Sequence, residues 1–288
     1  MKKIGIIGCG TMGAGIVQVC AQSRYDVYVR EIDQAILKKG LESIGAFLSR
    51  SVEKGRISEA DKEAALSRIH VASDMKELAD CDLVIEAIVE NLEVKKALFK
   101  ELDELCKEET ILATNTSSLS IMDIAKPIKR QERVLGIHFF NPVPVMKLVE
   151  IVRSIVTSDE VVEQSKEFAA SLGKTAITAK DSPGFIVNYL QYPFRLNAIR
   201  MLERGIASRD DIDAAAKLGL GHPIGPLELQ DLVGLDITYA AVGSIYEATK
   251  DPNFAPPVLM QQMISAGRLG RKTGRGFYRY KNGEKAPD

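Results

Sequence analysis

A histidine and a glutamate at matched positions in one apolar stretch are the first residues that could carry chemistry. His138 and Glu150 lie equally far from Pro144, inside residues 133–152. Two apolar runs flank the sequence N-P-V-P at 141–144, which predicts two strands joined by a proline-stiffened turn. Antiparallel pairing about that turn would bring the two Cβ atoms to about 5 Å. A base and its orienting acid need this arrangement, whereas the alternative on this stretch alone is a core histidine beside a strand-edge charge.

A glycine-rich loop near the start of the chain predicts a dinucleotide site. Residues 8–13 read G-C-G-T-M-G, between a short apolar run and a helix-like segment, and a β-rich run follows at 26–30. In this context the glycines of G-x-G-x-x-G permit a tight turn, a close approach to a pyrophosphate and close packing of helix on strand. A helix N-terminus also favours phosphate charge. The expected loop contacts come from Gly8, Gly10, Thr11, Met12 and Gly13.

The residue that ends the second strand of this unit indicates which dinucleotide binds. Glu31 stands there, and a carboxylate at that place hydrogen-bonds the ribose 2′-OH and repels a 2′-phosphate, which predicts NAD. The neighbouring Arg30 could instead bind that phosphate, so NADP stays open as an alternative.

The composition sets limits on other classes of function. The chain has 288 residues, 45% of them hydrophobic and 27% charged, which is enough for two domains with their own cores. A net charge of −1 gives no general attraction to nucleic acid or to an anionic membrane. Four cysteines without CxxC spacing indicate reduced, buried thiols and no metal site. No apolar run reaches the roughly 18 residues of a membrane span, so we expect a cytoplasmic protein.

The order of predicted elements indicates the architecture. Strands and helices alternate up to the sequence D-S-P-G at 181–184, and helical patterns alone follow. This predicts an α/β domain at 1–184, with a Rossmann-type, doubly wound and mostly parallel sheet, and an all-helical domain at 185–288 for substrate binding and dimerisation. The loops after the predicted strands at 82–87 and 110–114 carry Glu90 and the sequence N-T-S-S at 115–118, and Asn115 and Ser117 should face a cofactor or substrate. Capping of the next helix by Ser117 or Ser118 is the alternative.

Several motifs together carry a resemblance to a known family. They are G-x-G-T-M-G at 8–13, D-L-V-I-E-A-I-V-E at 82–90, A-T-N-T-S-S-L-S-I at 113–121, H-F-F-N-P-V-P-V-M-K-L-V-E at 138–150, D-S-P-G-F-I-V-N at 181–188, H-P-I-G-P-L-E-L-Q-D-L-V-G-L-D at 222–236 and L-G-R-K-T-G-R-G-F-Y at 269–278. In their order and spacing the chain resembles the short-chain L-3-hydroxyacyl-CoA dehydrogenases, and most nearly the bacterial 3-hydroxybutyryl-CoA dehydrogenases.

The resemblance implies an oxidoreductase that interconverts an (S)-3-hydroxyacyl-CoA, in the closest case 3-hydroxybutyryl-CoA, and a 3-oxoacyl-CoA with NAD(H). It implies that His138 is the catalytic base, that Glu150 orients it, and that Ser117 and Asn188 bind the reacting oxygen. It assigns Lys54 to the coenzyme A moiety. The apolar faces of the predicted helical domain, in turn, indicate a homodimer formed through that domain. The residues that the resemblance assigns to the NAD site are Glu31, Glu90, Lys95, Asn115, Ser117, Asn141 and Lys272.

The chain departs from the family pattern in the helix after Asn188. Asn188-Tyr189 stands where the family has N-R, and Leu196-Asn197 stands where it has a later N-E pair. This departure bears on acyl-chain or subunit specificity. Two alternative functions remain: an NAD-dependent dehydrogenase of a free hydroxy acid, and a non-catalytic NAD-binding protein. The segment 268–285 is basic and could be a solvated tail or a lid that contacts phosphates. This segment and Lys54 argue against the first alternative, and the intact catalytic set argues against the second.

Overall fold

The computed structural model describes residues 1–287, so Asp288, the last residue of the second predicted domain, lies outside the described residues. The chain divides into two compact units, Met1–Ser182 and a unit that begins at Pro183. Within the described residues, no helix is both long and apolar enough to cross a membrane.

The first unit is built on one sheet of eight strands, in the order β3-β2-β1-β4-β5-β6-β7-β8. Neighbours from β3 to β6 run parallel, β7 is antiparallel to β6, and β8 is parallel to β7. The sheet is therefore mostly parallel, as predicted. The strands are β1 Lys3–Ile7, β2 Asp26–Arg30, β3 Ile69–Val71, β4 Leu83–Glu86, β5 Ile111–Thr114, β6 Val134–Phe139, β7 Leu148–Arg153 and β8 Thr175–Lys180.

Helices connect the strands of this unit and begin at side chains that satisfy free backbone N–H groups. Ser58 and Asp61 form a capping box at the helix Glu59–Leu66, and Asp33 caps the helix Gln34–Glu53. Capping of the helix after β5 by Ser117 or Ser118 was wrong as an alternative, because Ser120 caps that helix. The helices are α1 Thr11–Gln22, α2 Gln34–Glu53, α3 Glu59–Leu66, α4 Leu92–Leu105, α5 Ile121–Ala125 and α6 Asp159–Ser171.

Buried strands form the core of the first unit. The four residues of β4 and of β5 and all six of β6 are buried, as near-continuous apolar runs in a parallel sheet require. All four cysteines are free and buried, as predicted. Helix α2 approaches the glycine loop closely at Gly40, where a Cβ would overlap the Cys9 carbonyl oxygen.

The second unit consists of helices and one short hairpin. Its helices are α7 Val187–Glu203, α8 Arg209–Ala214 with a π-helical continuation Ala215–Gly219, α9 Pro226–Val233, α10 Leu235–Thr249 and α11 Val258–Ser265. The predicted helical domain is present, and at its C-terminal end lies a hairpin that the prediction did not include, in which β9 Arg279–Lys281 pairs antiparallel with β10 Glu284–Ala286. The hairpin forms because of the two-residue turn Asn282-Gly283, in which both residues have positive φ. That dipeptide is a strong hairpin signal.

Candidate active site

The glycine loop at the end of β1 has the conformation that a phosphate site needs. Gly8 has φ +99°, and a Cβ at Gly13 would overlap the Gly8 carbonyl oxygen, so α1 packs directly on the loop. At Gly10 a Cβ would meet nothing within 4 Å. No side chain caps α1 and its first turn carries no acidic residue, so its N-terminal N–H groups can receive an anion.

Glu31 joins the end of β2 to this loop. Its Oε2 accepts a hydrogen bond from the Cys9 N–H at 2.9 Å, and its Oε1 accepts one from the Asp33 N–H at 3.1 Å. The neighbouring Arg30 donates from Nη1 to the Glu31 carbonyl oxygen at 2.8 Å. The Glu31 carboxylate therefore lies against the glycine loop, while the Arg30 guanidinium lies against the main chain of Glu31.

A carboxylate after β4 organises the loop that follows β5. Oε1 of Glu90 accepts hydrogen bonds from the Thr116 hydroxyl at 2.5 Å, the Ser118 hydroxyl at 3.1 Å and the Ser117 N–H at 3.2 Å. Burial raises the pKa of Glu90, but the charge of Lys95 and the hydrogen bonds from Thr116 and Ser118 lower it more, so the net shift is downward. Glu90 is therefore held as a carboxylate.

Lys95 is buried beneath this loop, with only 1% of its surface exposed. Its Nζ lies 2.5 Å from Glu86 Oε1 and 3.3 Å from Glu90 Oε2. A buried ammonium is tolerated where such partners compensate its desolvation. In this structure Lys95 acts on the loop through Glu90. Glu86 was missed in the sequence, although a carboxylate at the end of a fully buried strand was an available signal.

Asn115 ties the ends of two neighbouring strands together. Its N–H donates to the Glu86 carbonyl oxygen at 2.8 Å, and its Oδ1 accepts from the Phe139 N–H at 2.9 Å. With its oxygen engaged by the backbone, the Asn115 amide NH2 is the part that can donate to a ligand.

The predicted contact between His138 and Glu150 is present. The register of β6 and β7 pairs the two residues directly, and Nδ1 of the imidazole lies 2.7 Å from Oε2 of the carboxylate. Both are buried, with 6% and 0% of their surface exposed. A hydrogen on Nδ1, shared with the carboxylate, leaves the basic lone pair of the neutral ring on Nε2. This is the arrangement of a base held in one tautomer.

The turn between these strands carries Asn141, which is exposed. Lys174, the residue before β8, donates from Nζ to the carbonyl oxygens of Val143 and Met146, both at 2.7 Å. Sequence reasoning missed this anchor, because nothing in the local pattern marks Lys174 as different from a surface lysine.

A cavity of about 380 Å³ lies between α1, α2 and this turn. Cys9, Gly10 and Thr11 line one side, and Lys39, Ser43 and Phe47 of α2 line another. The three α2 residues are four apart and so share one face of the helix. Continued by three- and four-residue steps, that face reaches Arg50 and then Lys54, the C-cap residue that follows α2. The predicted coenzyme A contact therefore lies on the cavity-lining face of α2.

A larger hollow of about 520 Å³ lies at the opposite edge of the sheet, where the strands begin. Its lining mixes Lys107, Asp82 and Arg133 with other charged residues, and Lys107 and Asp82 pair with each other at 3.3 Å. Ligands of parallel sheets bind at the carboxyl ends of the strands. The candidate ligand site is therefore the cavity of about 380 Å³ beside the glycine loop.

Two residues implied by the resemblance belong to the second unit. Asn188, in the first turn of α7, is 8% exposed, and its Oδ1 accepts from Gln191 Nε2 at 2.8 Å. Lys272 lies 2.6 Å from a carboxylate oxygen of Asp236. Sequence reasoning missed Gln191.

The basic C-terminal segment is packed within the second unit. Asp231 accepts hydrogen bonds from the N–H groups of Phe277 and Tyr278, each at 2.9 Å. Lys285 lies 2.8 Å from Glu228. The sequence left open a solvated tail or a lid over phosphates; these contacts anchor the segment through its backbone.

Comparisons with known proteins cover nearly the whole chain. Residues 3–182 match the family model for the 3-hydroxyacyl-CoA dehydrogenase NAD binding domain, and residues 184–280 match the model for the 3-hydroxyacyl-CoA dehydrogenase C-terminal domain. The 3-hydroxybutyryl-CoA dehydrogenase of Bradyrhizobium diazoefficiens is 46% identical over 287 residues, which cover 100% of this chain and 98% of that protein. The mitochondrial hydroxyacyl-coenzyme A dehydrogenase of Sus scrofa is 45% identical over 289 residues, covering 98% and 92%. The crystal structure of (S)-3-hydroxybutyryl-CoA dehydrogenase from Ralstonia eutropha has a TM-score of 0.95 at 43% identity, over 98% of this chain and 100% of that one.

Proposed function

The chain belongs to the 3-hydroxyacyl-CoA dehydrogenase family, and on that premise we propose that it interconverts (S)-3-hydroxybutyryl-CoA and acetoacetyl-CoA with NAD(H). The observation that carries this proposal is the contact between His138 and Glu150 at the same sheet edge as the glycine loop. The enzyme is an NAD-dependent oxidoreductase. Its remaining task is to place C3 of the substrate and to move one proton.

His138 moves that proton. During oxidation Nε2 takes the proton of the C3 hydroxyl, and during reduction it returns the proton to the C3 oxygen. Glu150 holds the ring through Nδ1 and stabilises the imidazolium that forms. A bound nicotinamide would supply the acceptor or donor of the hydride at C3. Oxidation thus converts a hydroxyl and NAD⁺ into a carbonyl, NADH and a proton on His138.

Hydrogen-bond donors stabilise the charge that develops on the C3 oxygen. We assign this role to the hydroxyl of Ser117 and the amide of Asn188. Ser117 lies on the loop that Glu90 organises. Asn188 is assigned from the sequence resemblance, and its Oδ1 already accepts from Gln191.

The NAD site is proposed to use residues at the carboxyl ends of β1, β2, β4, β5 and β6. Fit to the dinucleotide is supported by the uncapped N-terminus of α1 and by the open space at Gly10. Glu31 would bind the ribose hydroxyls, and the amide NH2 groups of Asn115 and Asn141 would donate to the nicotinamide half. Glu90 shapes the loop with Lys95 behind it, and Lys272 is retained from the resemblance.

Binding of coenzyme A is proposed along the face of α2 that ends at Lys54. The thioester's nucleotide end carries several phosphate charges, and Lys39, Arg50 and Lys54 offer three cations along that face. A free hydroxy acid would not reach so far. This face is the reason for preferring a coenzyme A thioester as the substrate.

The assay that tests the function measures NADH oxidation with acetoacetyl-CoA and with free acetoacetate. We expect turnover of the thioester and a specificity constant at least about 10²-fold lower for the free acid, since contacts to a remote part of the substrate are lost. Equal activity with the acid would favour the hydroxy-acid alternative. Tight NADH binding without turnover of any thioester from C4 to C16 would favour a non-catalytic protein. Repeating the assay with NADPH tests whether Arg30 admits the 2′-phosphate.

We further infer a cytoplasmic homodimer formed through the second unit, without nucleic acid or membrane partners. Support comes from apolar side chains exposed on that unit, among them Leu218 at 88%, Leu190 at 69% and Ile237 at 55%. Light scattering on the purified protein should give twice the chain mass, and a monomer at micromolar concentration would contradict this inference.

A further inference from the structure

Three polar side chains form a hydrogen-bonded line on one face of α7. Gln191 Nε2 donates to Asn188 Oδ1 at 2.8 Å across three residues, and Arg195 Nη1 donates to Gln191 Oε1 at 3.2 Å across four. Spacings of three and four place all three side chains on the same side of the helix. The line begins at the Arg195 guanidinium and ends at the Asn188 amide, which is proposed to bind the reacting C3 oxygen.

The chemistry of the groups determines the direction of every bond in this line. A guanidinium has donors and no acceptor, so the atom of Gln191 that faces Arg195 must be the oxygen. The other end of the Gln191 amide is then the NH2 group, which can only donate. The atom of Asn188 that faces it must therefore be Oδ1, and the Asn188 NH2 group is turned to the other side. Reversal of either amide would place two donors or two acceptors against each other.

Arg195 is held firmly enough to impose this direction. It is 2% exposed, and its Nη2 donates to Gln230 Oε1 at 2.5 Å and to Thr238 Oγ1 at 3.0 Å. The Tyr192 ring centroid lies 5.5 Å from its Cζ. Burial lowers the pKa of Arg195 to about 10, so the group stays charged at neutral pH.

The charge of Arg195 has no obvious structural purpose in this core. Within residues 1–287 no carboxylate pairs with it, and its Nε finds no partner. A buried cation with only neutral partners is costly, and an apolar residue would pack in its place. Arg195 provides a group that can only donate hydrogen bonds. A neutral amide side chain in its place could turn over and accept one instead.

We propose that Gln191 and Arg195 are positioning residues, which orient the Asn188 amide so that its NH2 group, rather than its oxygen, faces the C3 oxygen of the substrate. This inference rests on the proposed function and deepens it. The donor is the group required, because the C3 oxygen gains negative charge as the hydroxyl proton leaves and as a carbonyl is reduced.

The test is the substitution Gln191→Glu, which keeps size and shape. One carboxylate oxygen would pair with Arg195, and the other would face Asn188 as an acceptor. The Asn188 amide should then turn over and present its oxygen to the substrate. We expect kcat to fall by about 10²-fold, the usual loss for one oxyanion donor, with NADH affinity unchanged and a melting temperature no lower than the parent's.

Two further variants separate orientation from packing. Gln191→Met removes the relay without forcing the wrong orientation, so its kcat should lie between those of the parent and Gln191→Glu. A packing role predicts the reverse order, because only the glutamate keeps a partner for Arg195. Arg195→Lys retains a donor and should keep more activity than Arg195→Met. As a matched control, Thr238→Val removes one acceptor from Arg195 without touching Gln191, and it should lower stability while leaving kcat within about twofold.

The outcomes distinguish this inference from the proposed function. Gln191→Glu with kcat within about threefold of the parent, while Asn188→Ala loses activity, would overturn the inference and leave the function intact. If the parent enzyme converted no 3-oxoacyl-CoA, the proposed function would be refuted. The orientation of the Asn188 amide would then be measured by NMR. In Gln191→Glu one side-chain amide proton of Asn188 should shift downfield as it bonds the new carboxylate. An unchanged Asn188 resonance would refute the inference.

Discussion

Replacing Glu150 by glutamine tests how the proposed catalytic base, His138, is supported. Glutamine has nearly the same volume and keeps an oxygen near His138, so packing of the β6–β7 pair should survive. What disappears is the negative charge 2.7 Å from the ring nitrogen, at a position with no solvent exposure. The imidazolium that forms during oxidation then loses the counter-charge that Glu150 supplies.

The magnitude follows from the geometry. A hydrogen bond to a charged partner contributes about 1.5–3 kcal/mol, and two unit charges about 4 Å apart attract by about 4 kcal/mol at an effective dielectric constant of 20. A loss of about 2–4 kcal/mol in transition-state stabilisation corresponds to about a 30- to 1,000-fold lower kcat. Because Glu150 is not assigned to NADH, the Kd for NADH should stay within about twofold.

The assay is steady-state oxidation of NADH with acetoacetyl-CoA, together with a fluorescence titration of NADH and a melting curve. Glu163→Gln, on the exposed side of α6, is the matched control for loss of one carboxylate. A Glu150→Gln enzyme with kcat within threefold of the parent would refute the role given to Glu150. A large loss of NADH binding would show that the effect arises elsewhere.

Three further changes probe the glycine loop proposed to bind the cofactor, the loop after β5, and the face of α2 proposed to bind coenzyme A. Gly10→Ala should weaken NADH binding by at least about tenfold at an unchanged melting temperature, because its Cβ meets no protein atom but occupies the phosphate approach. Glu90→Gln should lower the free energy of unfolding by about 1 kcal/mol and weaken NADH binding, since the amide NH2 would oppose Lys95. Lys54→Ala should raise the KM for acetoacetyl-CoA by about tenfold at nearly constant kcat.

Each of these changes has a control or a contrary result. Gly13→Ala should lower the melting temperature, because its Cβ would overlap Gly8, and equal stability losses at both glycines would contradict the loop geometry. Lys38→Ala is the control for Lys54→Ala. Lys38 is exposed on α2, and its replacement should leave the KM for acetoacetyl-CoA unchanged.

The Glu90 contribution also has a defined pH dependence. The pKa of Glu90 is lowered in the folded protein, so its stabilising effect is complete above its unfolded pKa of about 4.3 and is lost as the pH falls through the folded value. The stability difference between the parent and Glu90→Gln should therefore be constant from pH 7 to about pH 5 and shrink below about pH 4. A difference that grew on acidification would contradict this account.

Much of the first unit could be predicted because its signals are local. The symmetric spacing of His138 and Glu150 about Pro144 determined their register, since a one-residue slip would turn both side chains to other neighbours. The glycine loop was recognisable because each glycine meets a separate steric requirement. The turn Asn282-Gly283 was an equally local signal, and the β9–β10 hairpin was missed because the residues after the last predicted helix were interpreted as a basic tail.

Other features depend on contacts between distant residues. Lys95 was assigned to the cofactor from the resemblance, yet its burial between Glu86 and Glu90 follows from how α4 packs on the sheet. Similarly, the relay from Arg195 to Asn188 needs the partners that α9 and α10 supply to the guanidinium. Helical spacing alone would have left Arg195 as one more polar residue on an amphipathic helix.

The most direct test of the central claim compares the parent with His138→Gln in the oxidation of NADH by acetoacetyl-CoA. The account predicts that kcat falls by about 10²–10⁴-fold, the usual contribution of a positioned proton-transfer group, while the Kd for NADH is unchanged. A His138→Gln enzyme whose kcat remained within about tenfold of the parent would contradict the claim that His138 moves the proton.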